Sequence, residues 1–590
     1  MKLTLAIEQF VAEQYKPAKI EGPGFLSGQS YYVQFSVAAI ATRTFLIRET
    51  ILALSPKSLV LVEDRIDPWF QTEGYQRNPW IDTILHLAQS MNIGAEVLGN
   101  ALVKTVNTVI PTNSLEKQAF EGVDAAGSKL RSLQRDESDL DSQCLRLLFV
   151  GSALNYDWGC LLSNPSATEK RECFLLQENS VNNQPWGRYF VPELHDRHNQ
   201  VRSLPVTNFP DFGSDNFDVV EQSIDRWFEL NADTGSLTIS GMNLLPALQP
   251  HLRALARIGL PIIYHTDELS AFLLDTLNPH AVCFFAIPWL SAKRLSYQCH
   301  VRSIPVLNYQ HGGSYGTHSC PCHLLLGDFA DADYFLSYGS GICPPEPAFH
   351  PMRARFVPVG STKMEKFALS RLPPSRAKRT LQVLWIGEAS TQNTVAGAFQ
   401  VEDTTRYSLQ KQCLSILSES KLLHTVYRPF PGALKIQATP LWLKMQQLKS
   451  LSIDTSQSLV SLIQASDLVI VDSSSGTTWN EVIALQTPLI VYCDPNQTRL
   501  MPNFSDDLNK ACYWCQTTDE LVRAVRRLAN EGEAFVQELR QFDTSNFIRK
   551  YILYREDGQC VHRVVSFLEQ VCRDRQPLEQ WQQAWMRNLP

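Results

Sequence analysis

Seven short, nearly uninterrupted apolar runs, each closing on a polar or glycine-bearing turn, constrain this chain more than any other feature. They are "SLVLVED" (58–64), "LRLLFVGSA" (145–153), "LPIIYHTDE" (260–268), "AVCFFAIP" (281–288), "IPVLNYQHGG" (304–313), "YFLSYGSG" (334–341) and "RFVPVGS" (355–361). Residues that are apolar consecutively rather than alternately suit strands covered on both faces, as in a parallel sheet flanked by helices. After Ser361 the texture changes: "TKMEKFALSRLPPSRAKRT" carries two adjacent prolines and a run of cations. A second series follows, with strand-like "LQVLWIGEAS" (381–390), "LLHTVYRPFPG" (422–432), "DLVIVDSSSG" (467–476) and "PLIVYCDP" (488–495), and helical "RYSLQKQCLSILSES" (406–420) and "TTWNEVIALQ" (477–486). Strand and helix alternating over short connections predict an α/β protein of doubly wound domains.

A chain of 590 residues exceeds what one hydrophobic core organises. The expected division is an N-terminal Rossmann-like domain with insertions (1–365), a linker (366–380), a second Rossmann-like domain (381–550) and a helical tail (551–590). Residues 101–143 read as a polar insertion and 162–235 as mixed. With 44 % hydrophobic and 19 % charged residues the composition is that of a folded globular protein, not a disordered one. A net charge of −7 leaves no basic surplus for a nucleic-acid backbone. Glu8 and Glu13 interrupt the first apolar stretch too early for a signal peptide or membrane anchor, so a cytoplasmic location is expected, with peripheral contact at the inner face of the membrane left open. Most of the fourteen cysteines sit singly in apolar runs and are expected as buried thiols. The cluster His318, Cys320, Cys322, His323 lacks the second ligand pair of a zinc site, and Cys512 and Cys515 are a weak redox motif, so no metal is expected.

The most chemically loaded turn is "DLVIVDSSSGTTWNE". Ser473, Ser474, Ser475, Gly476, Thr477 and Thr478 lie between a buried strand and a helix. Free N–H groups of a first helical turn, the positive end of its dipole and several hydroxyls together make an anion cradle, and phosphate is its natural guest. One serine would be an ordinary helix cap; this run exceeds what capping requires. The lysine and spacing of a P-loop are absent. Glu481 follows Gly476 by five residues. It either accepts from ribose hydroxyls at the mouth of the site or is a solvated helix glutamate.

The hydroxyl run followed by "NEVIALQTPLIVY" resembles the nucleotide-binding half of GT-B glycosyltransferases, enzymes with two Rossmann-like domains about a central cleft. The resemblance covers about residues 380–500 and implies that Glu481 holds the donor ribose. "NYQHGGSYG", "ADYFLSYGSG", "FVPVGSTKMEKF" and "YREDG", in that order, are similar to poorly characterised bacterial transferases associated with surface-carbohydrate loci. "YRPFPG" followed by "DSSSG" is similar, more distantly, to the paired motifs of sialyltransferases and capsule Kdo transferases, which use CMP-linked acidic sugars. Arg428–Pro429 stands where those enzymes have His–Pro. A guanidinium there can still clamp phosphate in two-pronged fashion.

Glycosyl transfer also needs a base at the acceptor hydroxyl. His311 follows a strand directly, and Gly312 and Gly313 would let backbone approach a ligand, with Gln310 and Tyr315 adding hydrogen bonds. Alternatively the glycines form a plain turn and His311 serves a local backbone group. Strand-end acids are further candidates: Glu63 and Asp64 foremost, then Asp67, Asp157, Asp267 and Glu268, each of which could equally cap a helix. Lys363 lies where it could meet a donor phosphate. The expectation is therefore a GT-B-like, metal-independent glycosyltransferase with C-terminal helices and no cofactor beyond its substrate. It would move a sugar, by resemblance CMP-activated and acidic, to a glycan or glycolipid acceptor. A CDP-polyol phosphotransferase of teichoic-acid type and a non-catalytic scaffold are the rivals.

Overall fold

Every side chain from Leu147 to Val150, from Ala281 to Phe284 and from Val306 to Tyr309 is sealed from water in the computed structural model. These runs are the centre of an eight-stranded sheet. The structure describes residues 2–14, 47–63, 84–99, 145–163, 171–203, 214–318, 325–342, 354–371, 380–387, 403–429, 438–472 and 476–573, with short breaks inside several of these stretches. Within the sheet lie β1 (Leu145–Val150), β2 (Arg171–Ser180), β3 (Ala281–Phe284), β4 (Val306–Tyr309), β5 (Tyr334–Ser337) and β6 (Arg355–Pro358). Their spatial order is β6-β5-β4-β3-β1-β2, all parallel. Arg188–Val191 and Val201–Ser203 complete it against β2. The chain leaves β1 for β2 on one side and returns to β3 on the other. That reversal opens a crevice at the carboxyl ends of β1 and β3.

One expected strand is a helix. The run 260–268 lies inside α1 (Leu245–Leu277). Leu248, Leu252, Leu255, Leu269, Leu273 and Leu277 are buried along it, at the three- and four-residue spacing of a single helical stripe. The β-branched patch at 262–263 looked like a strand only when cut from that longer period. α2 (Leu290–Val301) packs beside α1 and is pinned to it by Arg294, which donates to Asp267.

Helix α3 (Thr362–Leu369) leaves the first sheet, and residues 372–379 lie outside the described stretches. The second sheet then comprises β7 (Leu381–Ile386), β8 (Leu423–Arg428), β9 (Leu451–Ile453), β10 (Leu468–Val471), β11 (Leu489–Tyr492) and β12 (Tyr513–Cys515). Their order β9-β8-β7-β10-β11-β12, parallel throughout, is that of a doubly wound Rossmann sheet, with its own reversal between β7 and β10. Alternation sorts its two faces. Val383, Trp385, Leu468 and Ile470 join α4 (Asp403–Glu419) in one cluster. Leu384, Ile386, Val469 and Val471 join the larger core that also holds the first sheet.

Past the second sheet the chain turns back. α5 (Thr477–Ala484) packs on α3 and on α7 (Ser545–Tyr551), α6 (Pro502–Ala511) packs on α7, and α8 (Cys560–Arg573) covers the first sheet, where Phe567 meets Tyr334 ring to ring at 5.3 Å. The Cys560 Sγ and Arg563 Nε both donate to the Val359 carbonyl. Gly339, just after β5, explains part of this closeness: a Cβ there would lie 2.1 Å from the Lys550 carbonyl oxygen.

Every cysteine among the described residues is buried and outside any disulfide. Cys512 and Cys515 both have thiol pKa values pushed up by burial, which removes the nucleophilic thiolate a redox pair needs. No described helix is long and apolar enough to cross a membrane. The expected insertion 101–143 lies outside the described residues, as do Cys320, Cys322 and His323.

Candidate functional site

The second sheet delivers its turn at its own reversal. Val471, the last residue of β10, pairs with Ile386 at the end of β7, and Asp472 follows it. Asp472 is buried and accepts from Trp385 Nε1 at 3.0 Å and Gln410 Nε2 at 2.5 Å, so the acid of "DSSSG" anchors the turn to the core. Ser473, Ser474 and Ser475 lie outside the described residues. Gly476 resumes the chain at φ +150°, a conformation a side chain would strain, and Thr477 and Thr478 open α5. Glu481, one turn further, is buried against Lys363 Nζ at 2.8 Å. Lys363 comes from the first turn of α3, so a cation from one half and a carboxylate from the other meet beside the hydroxyl-rich turn. Arg428 ends β8 and donates to the Asp454 carbonyl at 3.1 Å, with the Asp454 carboxylate 3.7 Å away.

The first sheet delivers His311 two residues past β4. Its Nδ1 lies 2.7 Å from the Phe285 carbonyl and 2.7 Å from Tyr315 Oη. A carbonyl only accepts, so Nδ1 carries a proton, and in the neutral ring the lone pair is on Nε2. Tyr315 in turn donates to Asp328 Oδ2 at 3.1 Å, and Asn308 Nδ2 donates to Oδ1 at 3.0 Å. Asp328 Oδ1 is 3.9 Å from His311 Nδ1. Burial pushes the Asp328 carboxyl above the usual carboxylate range, and His311, Asn308 and Tyr315 pull it back down. The imidazole, 30 % exposed, is held chiefly through Nδ1, and Tyr315 Oη also lies 3.4 Å from Nε2.

The two strand-end loops touch. Gly313 N donates to Thr477 Oγ1 at 3.2 Å. A Cβ on Gly313 would lie 2.5 Å from the Gly476 carbonyl oxygen, so only glycine permits this approach. His311, the glycine pair, Gly476, Thr477, Glu481 and Lys363 are thus gathered where two parallel sheets present their carboxyl ends to one another.

Several expected site residues have other work. Gln310 donates to the Gly312 carbonyl and accepts from Tyr338 N, and Tyr315 is buried against His311; both shape the loop. Asp157 is no base. Its Oδ1 accepts from Ser361 Oγ, Thr362 Oγ1 and Lys363 N at 2.9–3.0 Å and its Oδ2 from Tyr338 Oη at 2.6 Å, capping α3 from a distant segment. Asp267 and Glu268 sit within α1 rather than at a strand end, and Asp267 is paired with Arg294. Glu63 ends the strand Ser58–Glu63, which among the described residues pairs with Gly94–Gly99 alone, apart from both large sheets. Its side chain, Asp64 and Asp67 lie outside the described residues. No group of three or more His, Cys, Asp or Glu among the described residues is placed to hold a metal ion.

Sequence reasoning missed Asp328. It stands in "LLGDFADADYF", among other acids and without an apolar run to mark it, on a single π-helical turn (Leu325–Phe329) that only the fold lays under β4.

No curated protein matches the chain. Among solved structures, UDP-GlcNAc 2-epimerase from Neisseria meningitidis aligns with 72 % of this chain and all of its own, at 10 % identity and a TM-score of 0.40. MurG of Acinetobacter baumannii aligns with 72 % of this chain and 99 % of its own, at 11 % identity and a TM-score of 0.37. Residues 251–527, which run from α1 past β12 and include His311, Asp328, Lys363, Arg428 and the hydroxyl-rich turn, match the model of the LIC12162 family transferase.

Proposed function

We propose that the chain is a glycosyltransferase that uses a nucleotide-activated sugar. One observation carries the reading: the loop bearing His311 lies against the first residues of α5 through the Gly313–Thr477 hydrogen bond, so a candidate base on one sheet faces a candidate phosphate cradle on the other. The donor nucleotide occupies the second sheet's carboxyl edge, its phosphate at the N-terminus of α5 and its ribose at Glu481. Lys363 gives up its ion pair with Glu481 or shares it with the phosphate. His311 Nε2 takes the proton from an acceptor hydroxyl as that oxygen bonds to the anomeric carbon, and the bond from that carbon to the phosphate oxygen breaks with its electron pair. Helix N–H groups and nearby cations stabilise the charge on the departing phosphate. Asp328, through Tyr315, holds the imidazole in the required tautomer.

A CMP-activated acidic sugar is the donor we favour, supported by the order of "YRPFPG" and "DSSSG". A surface glycan or glycolipid is the acceptor that resemblance supports. The test is thermal unfolding with CMP, CDP, UDP and inorganic phosphate. A nucleotide at about 100 times its Kd stabilises the fold by about 2.7 kcal/mol. A rise with CMP or CDP above that with UDP or phosphate is the expected result. Preference for UDP overturns the CMP assignment, and indifference to all nucleotides overturns the transferase. Incubation with CMP-sialic acid, CMP-Kdo and CDP-glycerol, followed by product mass, separates sugar transfer from polyol-phosphate transfer.

A further inference from the structure

The three consecutive residues Tyr156, Asp157 and Trp158, beyond the carboxyl end of β1, have opposite fates. Trp158 is fully buried and its Nε1 donates to the Phe284 carbonyl at 2.7 Å, tying the segment to the end of β3. Asp157 is buried and tied to α3 and β5 as described above. Tyr156, between these anchors and the crevice, keeps 42 % of its surface in water. Its ring stacks on Phe285 at 5.0 Å between centroids and 13° between planes, and both rings meet the His311 imidazole edge-on, at 5.8 Å and 5.5 Å. A large aromatic side chain held by two buried anchors and left partly bare beside a part-exposed imidazole is a surface that a ligand completes.

We infer that Tyr156, backed by Phe285, is the stacking platform for the acceptor's sugar ring, an inference that rests on the glycosyltransferase reading. His311 is followed by Gly312 and Gly313, which reach the hydroxyl-rich turn, and its ring meets the aromatic pair. A base that deprotonates the acceptor stands between donor phosphate and acceptor, which assigns the aromatic side to the acceptor. A pyranose ring suits it: its axial C–H bonds are weakly positive and match the negative face of an aromatic ring, while its hydroxyls remain free for Nε2. Tyr156 lies outside the residues 251–527 that match the family model, whereas Phe285 and His311 lie inside them.

Saturation-transfer NMR with methyl β-galactoside, methyl β-glucoside and methyl N-acetylneuraminide tests the inference on the full chain. At least one glycoside is expected to receive saturation at its ring C–H protons. Tyr156→Ala weakens that binding about fivefold or more, and Tyr156→Trp, which keeps an aromatic face, retains it. Nucleotide-induced thermal stabilisation stays at the wild-type level in Tyr156→Ala, which also reports that the variant is folded. Binding that survives Tyr156→Ala, or no binding of any of the three glycosides to the wild type, overturns the platform. If nucleotides stabilise the protein while the platform test fails, only this inference falls; if no nucleotide binds, the transferase reading falls first.

Discussion

At the scale of residues the site is a division of labour between exposed groups and the buried groups that aim them. Phe285 and Tyr315 hold Nδ1 of the part-exposed His311, and Tyr315 is held by Asp328. If His311 is the base, His311→Ala lowers turnover about 10²–10⁴-fold without changing nucleotide-induced stabilisation, measured by initial rates and thermal shift on the same preparation. Asp328→Asn has a distinguishable signature. Burial holds the Asp328 carboxyl above its usual range, so between its unfolded and folded pKa values the native state keeps a proton that the unfolded chain has released. Its contribution to stability therefore falls as pH rises through that window. Asparagine abolishes this slope, seen by urea denaturation at several pH values, while slowing turnover by loosening the imidazole. His311 could be found in the sequence because it follows a strand and precedes two glycines. Asp328 could not, since nothing local separates it from Asp331 or Asp333.

At the scale of elements, the contact between the glycine loop after β4 and the N-terminus of α5 decides whether the two halves of the site cooperate. Gly313→Ala places a methyl 2.5 Å from the Gly476 carbonyl, which forces the loops apart. Backbone carbonyl is an unyielding neighbour, so the expected outcome is a loss of turnover larger than the loss of nucleotide affinity. Paired measurement of kcat and nucleotide Kd checks it, and equal losses would mean that the loop contact matters only for binding. The sequence marked both loops as candidates. It could not show that they touch, because the residues that meet, Gly313 and Thr477, are separated by 163 intervening peptide neighbours and by a change of sheet. Nor could it show α1. An apolar, β-branched patch reads as a strand until the stripe from Leu248 to Leu277 is seen against a packed surface.

At the scale of the whole molecule, the chain crosses from the first sheet to the second once at α3 and returns through α7 and α8. The returning segment contributes to the core of the first half through Phe547, Tyr551, Val564 and Leu568. Ending the chain after residue 558 removes α8 and uncovers Phe567's partner Tyr334 and the Val359 carbonyl. The expected result is a destabilised or aggregating protein, read by thermal unfolding and size-exclusion chromatography; an unchanged melting temperature would show α8 to be dispensable. The sequence by itself determined the α/β class, the two series of parallel strands and the hydroxyl-rich turn, because strand burial, helix starts and turn chemistry are written in neighbouring residues. Tertiary structure alone decided which acids are structural, which nitrogen of His311 meets the Phe285 carbonyl, that Lys363 pairs with Glu481 and that Tyr156 is displayed beside His311. Those outcomes depend on burial and on contacts between distant strand ends, where a carboxylate becomes a helix clamp or a base according to what surrounds it.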